Sequence, residues 1–214
     1  MTEAKTIYTK GEEIFNSISH GVGTLLAVVG TTLLVTLSIL KGDVWAVAGS
    51  ALYGFSLIVM YTMSTLYHAL PFPKVKKIFQ VLDHASIYLL IAGTYTPIML
   101  VSLRNSSRGM LILAVVWTAA ILGIIFNGIG VKHFRKVEWV LYLAMGWAVV
   151  WDFPAVAAAM GRQGLALLIS GGLCYTIGVI FYKMKSIRFM HGVWHLFVVS
   201  GSVLHYLCIL LCVL

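Results

Sequence analysis

The chain has 214 residues, of which 60% are hydrophobic and only 10% charged, with a mean hydropathy of +0.96; an ordinary soluble domain carries roughly 25% charged residues. This composition excludes a water-soluble globular fold and leaves no room for a separate soluble domain, so residues 1–214 read as one integral membrane domain. The net charge of +8 points to unevenly placed basic loops and to anionic headgroups as neighbours, and nothing in it asks for nucleic acid.

The opening, "MTEAKTIYTKGEEIFN", is polar and mixed in charge. It lacks the short apolar core and small-residue cleavage site of a secretory signal, so the first span is expected to be an uncleaved anchor. Seven apolar segments follow in chain order, at about 17–40, 45–70, 80–103, 109–130, 138–160, 164–182 and 190–214, each near the roughly 20 residues that cross a bilayer. The expected fold is therefore all-α, a seven-transmembrane-helix bundle. The second connection, "LPFPKVKK", reads as a tight turn at the membrane surface. Pro97 and Pro154 fall inside spans and are expected to kink them, since neither has an amide donor. Cys174, Cys208 and Cys212 lie within apolar spans without a pairing pattern and read as packing residues.

Orientation follows from the basic residues, which are retained on the cytoplasmic side. With seven spans, the amino end and the second, fourth and sixth loops share a side. That side carries Lys5, Lys10, Lys74, Lys76, Lys77, Lys132, Arg135, Lys136, Lys183, Lys185 and Arg188, against Lys41, Arg104, Arg108 and Arg162 on the other. The amino end is thus expected in the cytoplasm and the carboxyl end outside.

Ionisable side chains inside spans are costly and usually face a bundle interior or a water-filled cavity. The first span opens with Glu13, Asn16 and His20, the second ends with Ser64 and His68, the third begins with Asp83 and His84, and the seventh offers His191 and His195, with His205 deeper. Spans one, three and seven begin on the cytoplasmic side and span two ends there. His20, His68, Asp83, His191 and His195 are therefore expected at one depth, as parts of one site. His191 and His195 are four apart and share a helix face, about 5.4 Å from each other along the axis.

Imidazoles so arranged suit zinc, whose catalytic sites use three protein ligands plus water. His68, His191 and His195 are the expected ligands. Asp83 is placed to hold the bound water or accept its proton, and Ser64 to hydrogen-bond the same water or a substrate oxygen. Haem is the other group that two-histidine helices bind in membranes. His20 reads as a hydrogen-bonding tie between helices, and Glu13 and Asn16 as caps of the first helix. His84 points about 100° away from Asp83, His133 reads as solvated in a basic loop, Asp152 as an interfacial residue, and His205 as either a cavity-lining or a satisfied buried histidine.

Together, Glu13-x2-Asn16-x3-His20, Ser64-x3-His68, "LDHASIYLLIAGTYTP" from Leu82 to Pro97, and His191-x3-His195 resemble the bacterial hemolysin III family, related to the progestin and adipoQ receptors, over nearly the whole chain. The resemblance implies a seven-helix fold with the amino end inside, in a bacterial plasma membrane. It also implies a zinc ion in the cytoplasmic leaflet on His68, His191 and His195, with Asp83 touching the zinc-bound water. The wider superfamily includes alkaline ceramidases, which suggests metal-dependent hydrolysis of a lipid amide or ester, whereas the family name suggests membrane lysis. Three readings follow: an intramembrane zinc hydrolase with a lipid-like substrate, a pore-forming or cytolytic protein with structural zinc, and a receptor-like sensor. No ring of like charges or long amphipathic segment favours a wide pore, and the short ends and loops leave little for a large external ligand. Oligomeric state is open at this level.

Overall fold

A computed structural model of the chain describes residues 8–130 and 134–214. The regular structure among the described residues is all helical, in α1 (Lys10–Lys41), α2 (Val44–Ala69), α3 (Pro73–Pro97), α4 (Ser107–Gly128), α5 (Phe134–Gly146), α6 (Phe153–Lys183) and α7 (Met190–Cys212). A π-helical turn, Ile98–Ser102, extends α3, and a 3-10 turn, Ala148–Asp152, joins α5 to α6. Six helical runs among them are long and apolar enough to cross a membrane. The protein is therefore a multi-pass membrane protein that sits in a lipid bilayer. Large side chains such as Leu25, Val29 and Leu40 stand exposed along α1, as a lipid-facing surface requires.

The helix ends are set by local chemistry. Thr9 and Glu12 form a reciprocal capping box at the start of α1, with Glu12 N donating to Thr9 Oγ1 and Thr9 N to Glu12 Oε2 at 2.8 Å. Each bond satisfies a donor that the first helical turn leaves orphaned. Gly42 closes α1 in the left-handed conformation, and Asp43 at once caps α2 by accepting from Trp45 N. α1 is 32 residues long, about 48 Å at 1.5 Å per residue. A hydrocarbon core is roughly 30 Å thick, so the helix has length to spare beyond it.

The second connection is shorter than its sequence suggests. Only residues 70–72 are non-helical, because Pro73 stands in the first turn of α3, where a missing amide costs nothing. The lysine run that reads as a turn is instead helical, which moves the start of α3 seven residues earlier than expected. Pro97 does disturb its helix: the π-helical turn follows at once, and Gly49 of α2 packs against the proline. Pro154 does not kink a helix interior but sits in the first turn of α6, after the 3-10 turn. The expected segment 138–160 is accordingly three pieces rather than one helix.

The run Glu138–Lys183 qualifies as one long apolar stretch of 46 residues, yet it is not straight. Gly161 has φ 63° and ψ −175°, a backbone state that side chains other than glycine's rarely allow. Lys183 Nζ lies 4.0 Å from the centre of the Trp139 ring, and Trp147 Nε1 donates to Thr176 Oγ1 at 3.0 Å. Both pairs straddle Gly161 almost symmetrically, so the run folds back on itself there.

The packing order is simple: α2 lies against α1 and α3, α3 against α4, and α7 against α6 and α1. The core runs through Leu34, Tyr53, Tyr88, Met99, Val156 and Ile209, all fully buried. Contact between α1, α2 and α7 brings the end of α2 beside the starts of the other two.

Candidate metal centre

The antiparallel contact of α1 and α2 and the parallel one of α1 and α7 determine which polar groups can meet. His68 closes α2, and His191 and His195 occupy the first two turns of α7. Their Nε2 atoms converge: His191 Nε2 is 3.2 Å from His68 Nε2 and 3.1 Å from His195 Nε2. Ligand nitrogens of all three lie within 4.8 Å of one another. Tetrahedral zinc with Zn–N bonds of 2.0–2.1 Å would set its nitrogens about 3.3 Å apart.

The proton inventory reinforces the geometry. His68 Nδ1–H donates to Glu13 Oε2 at 2.7 Å. His195 Nδ1–H is shared between Ser19 Oγ at 3.1 Å and the Asn16 carbonyl at 3.2 Å, and Ser19 itself donates to that carbonyl. A neutral imidazole has one N–H, so Nε2 of both His68 and His195 presents a lone pair. His191 Nε2 has at most one proton to offer, which leaves at least one close N···N contact with no hydrogen to bridge it. A shared cation resolves that contact. Carboxylate and carbonyl partners on the distal nitrogen are also what orient histidines on a metal. The cluster can therefore hold a metal ion, and the chemistry of its donors fits zinc.

The surroundings were only partly foreseen. Glu13 does not cap α1, which Thr9 and Glu12 do; it accepts from His68 and from Lys76 Nζ at 2.9 Å. Lys76 reaches it from the first turns of α3 and also donates to the Tyr67 carbonyl. Asn16 does not cap the helix with its side chain either; it is fully buried and serves through its backbone oxygen. His20 is not a hydrogen-bonding tie. Its ring stacks on His195 at 3.6 Å and 10°, stands edge-on to Tyr61, and neither of its nitrogens has a partner among the described residues. Tyr8 covers the cluster from the amino-terminal side, 4.9 Å from the His191 ring and 5.6 Å from that of His68. Burial pushes the Tyr8 hydroxyl well above the usual phenol range.

Asp83 and Ser64 are buried and are not part of the three-histidine cluster. They line a cavity of about 130 Å³ together with His20, His191 and His195. The cavity continues past apolar walls such as Ile91, Met99 and Val198 to His205, whose Nε2–H donates to the Leu168 carbonyl at 3.0 Å. His205 thus both lines the cavity and is held by the backbone. Gly171 lets it in: a Cβ there would collide with the imidazole ring.

Other sequence readings resolve differently. His84 lines the same cavity and is tied away from Asp83 by Glu138, with Nδ1–H donating to Oε1 at 2.7 Å. Glu138 is buried and accepts also from Asn127 Nδ2 at 3.5 Å. Its role was invisible in the chain, since it stands beside a basic run. Asp152 is buried rather than interfacial, with Ser106 Oγ donating to it at 3.4 Å. All three cysteines are free, and the Cys208 thiol donates to the Gly164 carbonyl. His133 lies outside the described residues.

Comparison with known proteins shows the family. The family model described as "Haemolysin-III related" matches residues 8–206. The chain is similar to "Hemolysin-3" of Bacillus cereus, 41% identical over all of this chain and 98% of that protein. It is 38% identical to "Hemolysin-3 homolog" of Bacillus subtilis (strain 168), over 95% of each. A more distant relative is "Monocyte to macrophage differentiation factor" of Homo sapiens, 31% identical over 92% of this chain and 83% of that protein. No solved structure matches. With near-complete coverage by the family model and by two bacterial relatives, this chain belongs to the haemolysin-III-related family of membrane proteins.

Proposed function

We propose that the protein is a zinc-dependent intramembrane hydrolase of a lipid amide or ester. The observation that carries this reading is the convergence of three Nε2 atoms at one end of a largely apolar cavity whose wall also holds Asp83 and Ser64. Held by His68, His191 and His195, a zinc ion would supply Lewis acidity toward a carbonyl and would lower the pKa of water at the site to about 7. The chain's own residues do the rest. Glu13 fixes the His68 tautomer, as Ser19 and Asn16 fix that of His195, so each ring presents Nε2. The Asp83 carboxylate takes a proton from the attacking water and returns it to the leaving amine or alcohol. Ser64 orients that carboxylate. The apolar lining admits an acyl chain and keeps bulk water out.

The same reading includes seven crossings, the amino end in the cytoplasm and the bacterial plasma membrane as the location. The fold-back at Gly161 supports two crossings within Glu138–Lys183, because a straight helix of 46 residues would run about 69 Å, more than twice a hydrocarbon core of roughly 30 Å. The distribution of lysine and arginine supports the orientation. A reporter fused at Leu214 is expected to behave as external.

The printed name of the Bacillus cereus relative favours a second reading, cytolysis with a structural metal. One experiment separates the two: the metal content of purified protein, then incubation with ceramides and phospholipids, following released fatty acid and vesicle leakage. One zinc per chain with fatty acid release supports the hydrolase. Vesicle leakage without release from any lipid gives first place to cytolysis.

A further inference from the structure

A second pocket, of about 170 Å³, opens at the same end of the bundle between the start of α1 and the α6–α7 connection. Tyr8, Glu12, Tyr182, Lys185, Arg188 and His191 are among its walls. Two of these, Tyr182 and His191, also line the apolar cavity. The two spaces share one wall, and that wall carries a candidate metal ligand.

Charge in the second pocket is unbalanced. Its lining has one carboxylate, that of Glu12, which already accepts from Thr9 N at 2.8 Å, Thr9 Oγ1 at 2.7 Å and Phe189 N at 2.8 Å. Lys185 Nζ stands 5.3 Å from the Tyr182 ring centre. Neither Lys185 nor Arg188 forms an ion pair with a carboxylate among the described residues. Phe189, next to Arg188, has φ 63° and is the described non-glycine residue in the left-handed region. A bulky residue rarely adopts that state unless its surroundings hold it there; here the bond from its amide to Glu12 anchors the turn to α1.

A basic pocket and an apolar cavity that meet at His191 match the two halves of an amphiphile. The acyl chain belongs on the apolar side, the linkage beside His191, and an anion on the side of Lys185 and Arg188. We propose that this second pocket binds a phosphate-bearing headgroup, so that the lipid handled at the centre is anionic rather than neutral. A guanidinium offers a fork of donors to phosphate oxygens and an ammonium a point charge; a neutral headgroup leaves two cations against one carboxylate, that of Glu12, which Arg188 feels at longer range. The identity of the lipid as substrate rests on the hydrolase reading, whereas binding of the phosphate does not.

The test is calorimetric titration of the zinc-loaded full chain in neutral detergent with three probes: dioctanoyl phosphatidic acid, dioctanoylglycerol and inorganic phosphate. The lipid phosphate should bind at least tenfold tighter than the neutral lipid. The double variant K185Q/R188Q should lose at least tenfold in affinity for it while keeping its zinc, which reports an intact fold, and R188K, which keeps the charge but loses the fork, should lose less than the double variant. K74Q/K77Q removes the same charge from exposed residues outside the pocket and should change nothing. Equal affinity for the neutral lipid, or equal losses in the two double variants, overturns the proposal. Inorganic phosphate binding as tightly as the lipid overturns the headgroup assignment in favour of a soluble anion. Affinity is read without turnover, in D83N as well. Phosphate preference without hydrolysis of any lipid therefore keeps the pocket and removes the hydrolase reading, and hydrolysis without that preference does the reverse.

Discussion

The two ends of the bundle carry similar kinds of polar residue and use them differently. Where α1, α3 and α7 begin, Glu13, His68, Lys76, His191 and His195 from four helices meet at 2.7–3.2 Å, mostly out of solvent. At the opposite end, Arg104 stands 4.0 Å from Asp43 and Arg108 4.0 Å from Asp152, with both arginines exposed. The Arg104–Asp43 pair, exposed on both sides, contributes about 0–1 kcal/mol. A charge at the end of a span is thus weak evidence of function. Burial with partners arriving from several helices is the stronger sign, because each buried group must be answered by another.

The sharpest way to break this contrast is to remove a ligand. In His191→Ala, zinc measured by mass spectrometry is expected to fall from one per chain to background, and thermal stability to fall with it, since a metal on the three histidines would join α2 to α7. Retention of full zinc would move the centre elsewhere.

Asp83→Asn tests chemistry apart from assembly. The amide keeps the shape and some hydrogen bonding but cannot accept and return a proton, so fatty acid release should drop about 10²-fold or more while zinc stays bound. Undiminished release would leave Asp83 a structural neighbour of the centre.

Glu13→Gln probes the layer behind the ligands. Outer partners of metal-bound histidines typically govern about 10–100-fold in metal affinity, and a competition titration against a chelator should find a loss in that range. The smallest effect is expected at the far end. Arg104→Gln should change stability by no more than about 0.5 kcal/mol and leave zinc affinity alone. A loss of metal there would mean that the two ends are coupled and the contrast between them is false.

Much of the histidine cluster was legible in the chain because its members are few and sit where they are expensive. His68, His191 and His195 interrupt apolar runs, and the four-residue spacing on α7 places two of them on one face. Glu138 was not legible: it follows the basic stretch at 132–136, where an acidic residue looks solvated, and only the packing of α5 against α3 and α4 buries it with His84 and Asn127. Lys76 was missed for a similar reason, since Pro73 starts α3 early and carries this lysine onto a helix aimed at Glu13.

Composition and hydropathy by themselves determined that the chain lives in a bilayer as a set of apolar helices, because a charge-poor chain of this length has no other way to satisfy its backbone and bury its side chains. Periodicity also placed the histidine pair on one side of α7. Tertiary structure alone decided which nitrogens face one another, that His20 stacks on His195 rather than bonding across helices, and that Thr9, not Asn16, caps α1. It also decided that one long apolar run doubles back at Gly161. Sequence spacing determines direction around one helix, whereas the rotation, depth and tilt of that helix against its neighbours come from side chains packing across distant segments.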